Sequence, residues 1–161
     1  MMVVSDTSPI INLAAIGQLD VLQQIYRTLA LPQGVYEEIV IAGAGQPGAN
    51  EVQSIGWIQR HTVTDLALVQ QFRRDLDKGE SEAIALAIEL HANWLLMDER
   101  RGRIIAQQHG LSVIGLLGIL VLAKHQGHIV LVKPLLDDLH VKAGFRIKPA
   151  LYQQVLTSAG E

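Results

Sequence analysis

The chain has 161 residues, 49% hydrophobic and 18% charged, with a formal net charge of −3 and no cysteine. A chain of this length buries one full core, removing roughly 70% of its unfolded surface from water, so one domain suffices. The missing cysteine excludes a disulfide framework, a thiolate zinc site and a cysteine nucleophile, and the acidic balance excludes a protein that holds nucleic acid by an overall basic surface.

In chain order, MVVS (2–5) reads as a short buried strand. Ser8-Pro9 then opens a helix as N-cap and first helical residue, with Ile10, Leu13, Ala14 and Ile16 at helical spacing before Gly17. LDVLQQIY (19–26) gives a further helical turn or two, TLAL (28–31) a strand, and Pro32 starts the helix PQGVYEEIVIA. GAGQPGAN (43–50) is a loop by composition. WIQRHTV (57–63) is a strand, DLALVQQFRRDL (65–76) a helix, and KGESEAIALAIELH (78–91) the clearest helix of all, rich in Ala, Leu and Glu. NWLLMDE is a strand ending in acid, GRIIAQQHG a helix closed by Gly110, LSVIG a strand and LLGILVLAKHQG a helix. Two helices, KPLLDDLHVKAG and KPALYQQVLTSAG, form an appended pair.

This alternation predicts an α/β fold: three layers, α/β/α, around a central, mainly parallel sheet, with the domain over 1–130 and a C-terminal helical extension over 131–161 packed on it. No basic region leads into a long apolar segment at the N-terminus, and the uncharged apolar run 113–123 is about half a membrane span. The expectation is a cytoplasmic protein without membrane contact.

Ligands of such sheets bind beyond the carboxyl ends of the strands, where Asp6 and Asp98 are expected. Glu38 lies in the helix after a strand, and Glu82 in the first turn of the Ala-rich helix. Four converging carboxylates repel one another unless a cation joins them, and hard oxygen ligands favour Mg²⁺ or Mn²⁺. That chemistry is metal-assisted hydrolysis of a phosphate ester. Each acid has a plainer reading too: Asp6 as a helix cap, Glu38 beside Glu37 on a solvated face, Glu82 favouring a helix dipole, Asp98-Glu99 as a polar strand exit. Glu80 competes with Glu82, because residues two apart point about 200° apart around a helix.

The stretches VVSDTSPIINLA, LPQGVYEEIV, GESEAIALA, WLLMDERRGR and GLSVIGLLGILVLAKHQG together resemble the PIN-domain family, in particular its small prokaryotic members, which include VapC-type toxins of toxin–antitoxin pairs. The resemblance implies a Mg²⁺- or Mn²⁺-dependent endoribonuclease leaving 5′-phosphate and 3′-hydroxyl ends. It assigns the metal-binding and catalytic acids to Asp6, Glu38, Glu82 and Asp98, with Thr7 or Ser8 as a supporting hydroxyl, while Glu80, from its spacing alone, stays a possible substitute for Glu82. Thr7, Ser8, Arg100, Arg101 and Arg103 are candidate substrate contacts, although the arginines also suit a solvated helix start. Toxin-type members often carry Thr or Ser two residues before the last aspartate; here Leu96 stands there. The partners implied are RNA, an antitoxin protein and a second copy of the chain in a homodimer or larger homo-oligomer.

Two other readings compete. A PIN-like module binding nucleic acid or protein without cutting uses the same fold. Gly43, Gly45 and Gly48 spell G-x-G-x-x-G, with Asp65 about twenty residues on, but a dinucleotide site needs a strand immediately before the glycines. His125 and His128 are three apart beside a helix-ending glycine and read as exposed.

Overall fold

The computed structural model describes residues 1–161. Five strands, β1 (Val3–Ser5), β2 (Leu29–Pro32), β3 (Ile58–His61), β4 (Trp94–Leu96) and β5 (Val113–Ile114), form one sheet in the order β3-β2-β1-β4-β5. Every pairing is parallel. Ten α-helices surround it: α1 (Thr7–Ala15), α2 (Asp20–Tyr26), α3 (Gln33–Glu37), α4 (Ala49–Ser54), α5 (Leu66–Phe72), α6 (Lys78–Glu89), α7 (Arg100–Gln108), α8 (Leu116–His125), α9 (Lys133–Ala143) and α10 (Pro149–Ser158). The architecture is the three-layer α/β/α arrangement.

Strands buried on both faces carry continuous apolar runs rather than alternation. Val3, Val4, Leu29, Leu31, Leu95 and Leu96 are all essentially inaccessible. Helix α6 crosses β1, β2 and β4, and buries Gly79 and every residue from Ser81 to Ala87. Small alanines on α6 let its backbone come close to the sheet. α9 packs on α1 and α10 on α8. Leu135, Leu136, Leu139, Val155 and Leu156 belong to the same apolar cluster as the strands. No helix is long and apolar enough to cross a membrane.

The order in which strands are added reverses at β1: β2 and β3 extend the sheet one way, β4 and β5 the other. The crevice beyond the carboxyl ends of β1 and β4 is therefore the switch point where open α/β sheets hold ligands. Ser5 lies level with Leu96, and the Asp6 N–H donates to the Leu96 carbonyl at 2.9 Å. Both aspartates thus leave the sheet at one edge.

Two local expectations need correction, and a third, the helix ahead of Gly43, holds. The first helix begins at Thr7 with Asp6 in the N-cap position, so Ser8 and Pro9 lie inside its first turn. Proline is tolerated there because the first helical N–H groups have no intrahelical partner anyway. Residues 49–54, placed in or after a loop, form the short helix α4, closed by the Glu51 carboxylate accepting from the Gly48 N–H at 2.7 Å. The segment before Gly43 is helical, α3 running directly into a π-helical turn over Glu38–Ala42, so the glycines lack the strand a dinucleotide fingerprint requires.

Candidate metal centre at the sheet switch point

Asp6 is 5% exposed, and although it occupies an N-cap position its side chain makes no capping hydrogen bond. Burial pushes its carboxyl up to about 7; the Thr7 N–H offsets part of this, while Asp77, Glu38 and Asp98 push further in the same direction. The plainer reading of Asp6 as a helix cap therefore fails. It is an acid surrounded by acids.

Asp98 is fixed from two elements. The Ser8 hydroxyl donates to Oδ2 at 3.1 Å, and the Leu116 N–H, at the start of α8, donates to Oδ1 at 2.7 Å. Burial raises its pKa, opposed by these two donors and by the Arg103 charge. Gly115 makes the approach possible, because a Cβ there would fall 2.9 Å from Asp98 Oδ1 and 2.7 Å from Arg103 Nη1.

Glu38 opens the π-turn, a distortion frequent at functional sites. The Thr7 hydroxyl donates to its Oε2 at 2.6 Å. On the far side Gly79 leaves room, since a Cβ there would lie 2.6 Å from the same oxygen. Thr7 and Ser8, expected near Asp6, thus each steady a different acid, Glu38 and Asp98.

The start of α6 separates the two competing glutamates. Glu82 is 8% exposed, accepts the Gly34 N–H at 3.0 Å and packs against the Gly34 backbone, tying α6 to α3. Glu80 turns the other way. Burial, a hydrogen bond with Asp77 and the charges of Asp77, Asp6 and Glu99 push its carboxyl up to about 8. Asp77 caps α6, accepting the Glu80 N–H at 2.8 Å. Sequence reasoning passed over Asp77, although an aspartate just ahead of KGE is a readable N-cap signal.

Asp6, Glu38, Asp77, Glu80 and Asp98 thus share one region. No three histidine, aspartate or glutamate side chains stand close enough to hold one ion as arranged. The donor set is all carboxylate oxygen, the kind that Mg²⁺ and Mn²⁺ take, and an acid held near 7 by burial and like charge is one a cation would return to its ionised form.

A family model for the PIN domain matches residues 2–161. The chain belongs to the PIN-domain family. PIN domains are generally nucleases that act on nucleic acid with divalent metals, and here the family's fold and the carboxylates at its sheet edge occur together. No curated protein matches the chain. The three arginines of this PIN domain divide. Arg103 Nη1 donates to the Met97 carbonyl at 2.9 Å and sits behind Asp98; Arg101 pairs with Asp75 at 2.8 Å; Arg100 is exposed.

Proposed function

We propose that this PIN domain is a Mg²⁺- or Mn²⁺-dependent endoribonuclease. The observation that carries the reading is the buried, uncapped Asp6, its carboxyl raised to about 7 by burial and by Asp77, Glu38 and Asp98 around it. Asp6, Glu38 and Asp98 would hold the cation, with Glu80 rather than Glu82 as the fourth acid and Asp77 setting its position. A bound divalent ion supplies charge at the scissile phosphate and lowers the pKa of a coordinated water. Ser8 and the Leu116 N–H orient Asp98, Thr7 orients Glu38, and Arg103 limits the negative charge behind Asp98. Glu38, exposed and on a flexible stem, is the acid best able to swing toward an ion. RNA as the substrate, and a role as the toxin-like partner of an antitoxin, rest on the resemblance to small prokaryotic PIN proteins.

The test is Mn²⁺ titration of purified protein with a mixed RNA pool. Cleavage is expected to require the metal and to fall more than about a hundredfold in Asp98→Asn and Glu80→Gln, beyond the roughly 10–100-fold that a supporting residue costs. Glu82→Gln is expected to stay within about tenfold of wild type. Absence of cleavage by the wild type, freed of any bound partner, would replace the enzyme with a non-cutting nucleic-acid-binding module.

A further inference from the structure

Two clefts flank Glu38, and their walls differ in charge. One, of about 450 Å³, lies between the π-turn and the start of α6; its lining includes Glu37 and Asp77, and its cation, Lys78, is already paired with Glu37 at 3.4 Å. A phosphodiester entering there meets mostly like charge. The other, of about 420 Å³, lies on the α1 side, and its wall nearest the carboxylates is Thr7 and Glu38. Its apolar lining comes from Ile11, Ala15 and Ile39, its polar lining from Asn12, Gln46 and, reaching in from α9, Lys142. The volume lies within the range of about 300–1,000 Å³ usual for small-ligand sites.

This second cleft has the parts a nucleotide needs. Lys142 is 57% exposed and its pairing with Asp138 of its own helix, at 3.6 Å, is a loose surface contact that an incoming anion can displace. The Asn12 amide nitrogen donates to the Ser8 carbonyl at 2.9 Å and to the Ser8 hydroxyl at 3.0 Å. Those bonds fix the amide and leave its oxygen as an oriented acceptor. Gln46 adds an exposed amide able both to donate and to accept. Side-chain amides match the donor–acceptor pairs on base edges, and an apolar surface suits the face of a base.

We propose that this cleft seats the nucleotide next to the scissile phosphate of a single-stranded RNA, its base over Ile11, Ala15 and Ile39, its edge read by Asn12 and Gln46, and its phosphate bound by Lys142. The assignment rests on the nuclease reading for its place in the reaction. It makes α9 part of substrate recognition as well as of the core.

Binding can be tested without metal or turnover. Labelled protein in chelator is titrated with AMP, GMP, CMP and UMP and, separately, with inorganic phosphate, following backbone amide signals. Millimolar mononucleotide is expected to shift Ile11, Asn12, Ala15 and Ala143, and phosphate alone to shift mainly the neighbourhood of Lys142. Lys142→Glu, on an exposed side chain, should weaken mononucleotide binding about tenfold or more, and Ala15→Trp, which fills the cleft, should abolish it while thermal melts report retained folding. In Mn²⁺-dependent cleavage Lys142→Glu should raise KM about tenfold with kcat within about twofold, because a contact made equally in ground and transition states leaves kcat alone. Mononucleotide shifts that are absent, or that survive both substitutions, overturn the proposal. RNA cleavage with KM and cut sites unchanged in both variants overturns it too and leaves the nuclease reading standing. Mononucleotide binding in the cleft by a chain that cuts no RNA upholds the cleft as a nucleotide site and overturns the nuclease reading together with the cleft's place beside a scissile phosphate.

Discussion

Asp6 binds its proton far more tightly in the folded protein than in the unfolded chain, because burial and neighbouring acids oppose its charge. The stabilising contribution is therefore full below the unfolded value of 3.8 and is lost as pH rises through about 7. With roughly 1.36 kcal/mol per pKa unit, the ionised acid costs up to about 4 kcal/mol at alkaline pH without metal. Asp6→Asn should consequently melt several degrees above wild type at about pH 8 in chelator, with the gap closing toward about pH 4. Added Mn²⁺ should raise the wild-type melting temperature and leave the variant's unchanged; equal responses would remove Asp6 from any ion site. The paired glutamates differ in the opposite sense. Glu82→Ala strands the Gly34 N–H in the interior and should cost about 1–3 kcal/mol, whereas Glu80→Gln should cost nothing in stability and lose Mn²⁺ affinity, as calorimetry can read. That Glu80 and Glu82 face opposite ways was legible in their spacing. Which of them faces inward was not, because α6 is buried on nearly every side and its apolar pattern marks no face.

Helix geometry sets the distances at which the acids meet. The π-turn carries Glu38 into place, and two glycines frame it for different reasons. Gly79 faces the end of a flexible side chain: a Cβ would lie 2.6 Å from Glu38 Oε2, which can move aside at little cost. Gly79→Ala should therefore leave the melting temperature equal or raised, alanine being about 1 kcal/mol better than glycine within a helix, while weakening divalent binding by displacing Glu38. Gly43 faces backbone: a Cβ would lie 2.6 Å from the Ile39 carbonyl oxygen, which cannot yield without unwinding the turn. Gly43→Ala should lower stability by about 1–3 kcal/mol as an overpacked position does. Periodicity identified the helix through residue 42 but gave no sign that its hydrogen bonding widens at Glu38, since side-chain pattern does not record the ladder's register. The Ser8-Pro9 pair misplaced the start of α1 because proline suits any residue of a first turn, and the residue that ends the strand was the better marker.

Across the whole molecule, alternation of strand and helix was enough to read a parallel α/β/α sheet, and the apolar strands announced burial on both faces. Strand order was not readable, because nothing in a parallel strand's own residues names its neighbours. Nor did the last two helices look like core. Yet Val132, Leu135, Leu136, Leu139, Val155, Leu156 and Ala159 are all buried in the common cluster. A chain ending near Gly127 should therefore melt without a cooperative transition and bind hydrophobic dyes, the signs of lost packing; a sharp two-state melt would show that the pair is dispensable. The sheet's order has a further consequence for synthesis. Ser8 and Asp98, ninety positions apart, touch only after β4 has slotted in beside β1, and Asp98 gains its second donor only when Leu116 has arrived. A partly made chain emerging from the ribosome therefore holds its acids scattered. The carboxylates come together at the switch point only in the finished sheet, once β4, β5 and the start of α8 are in place.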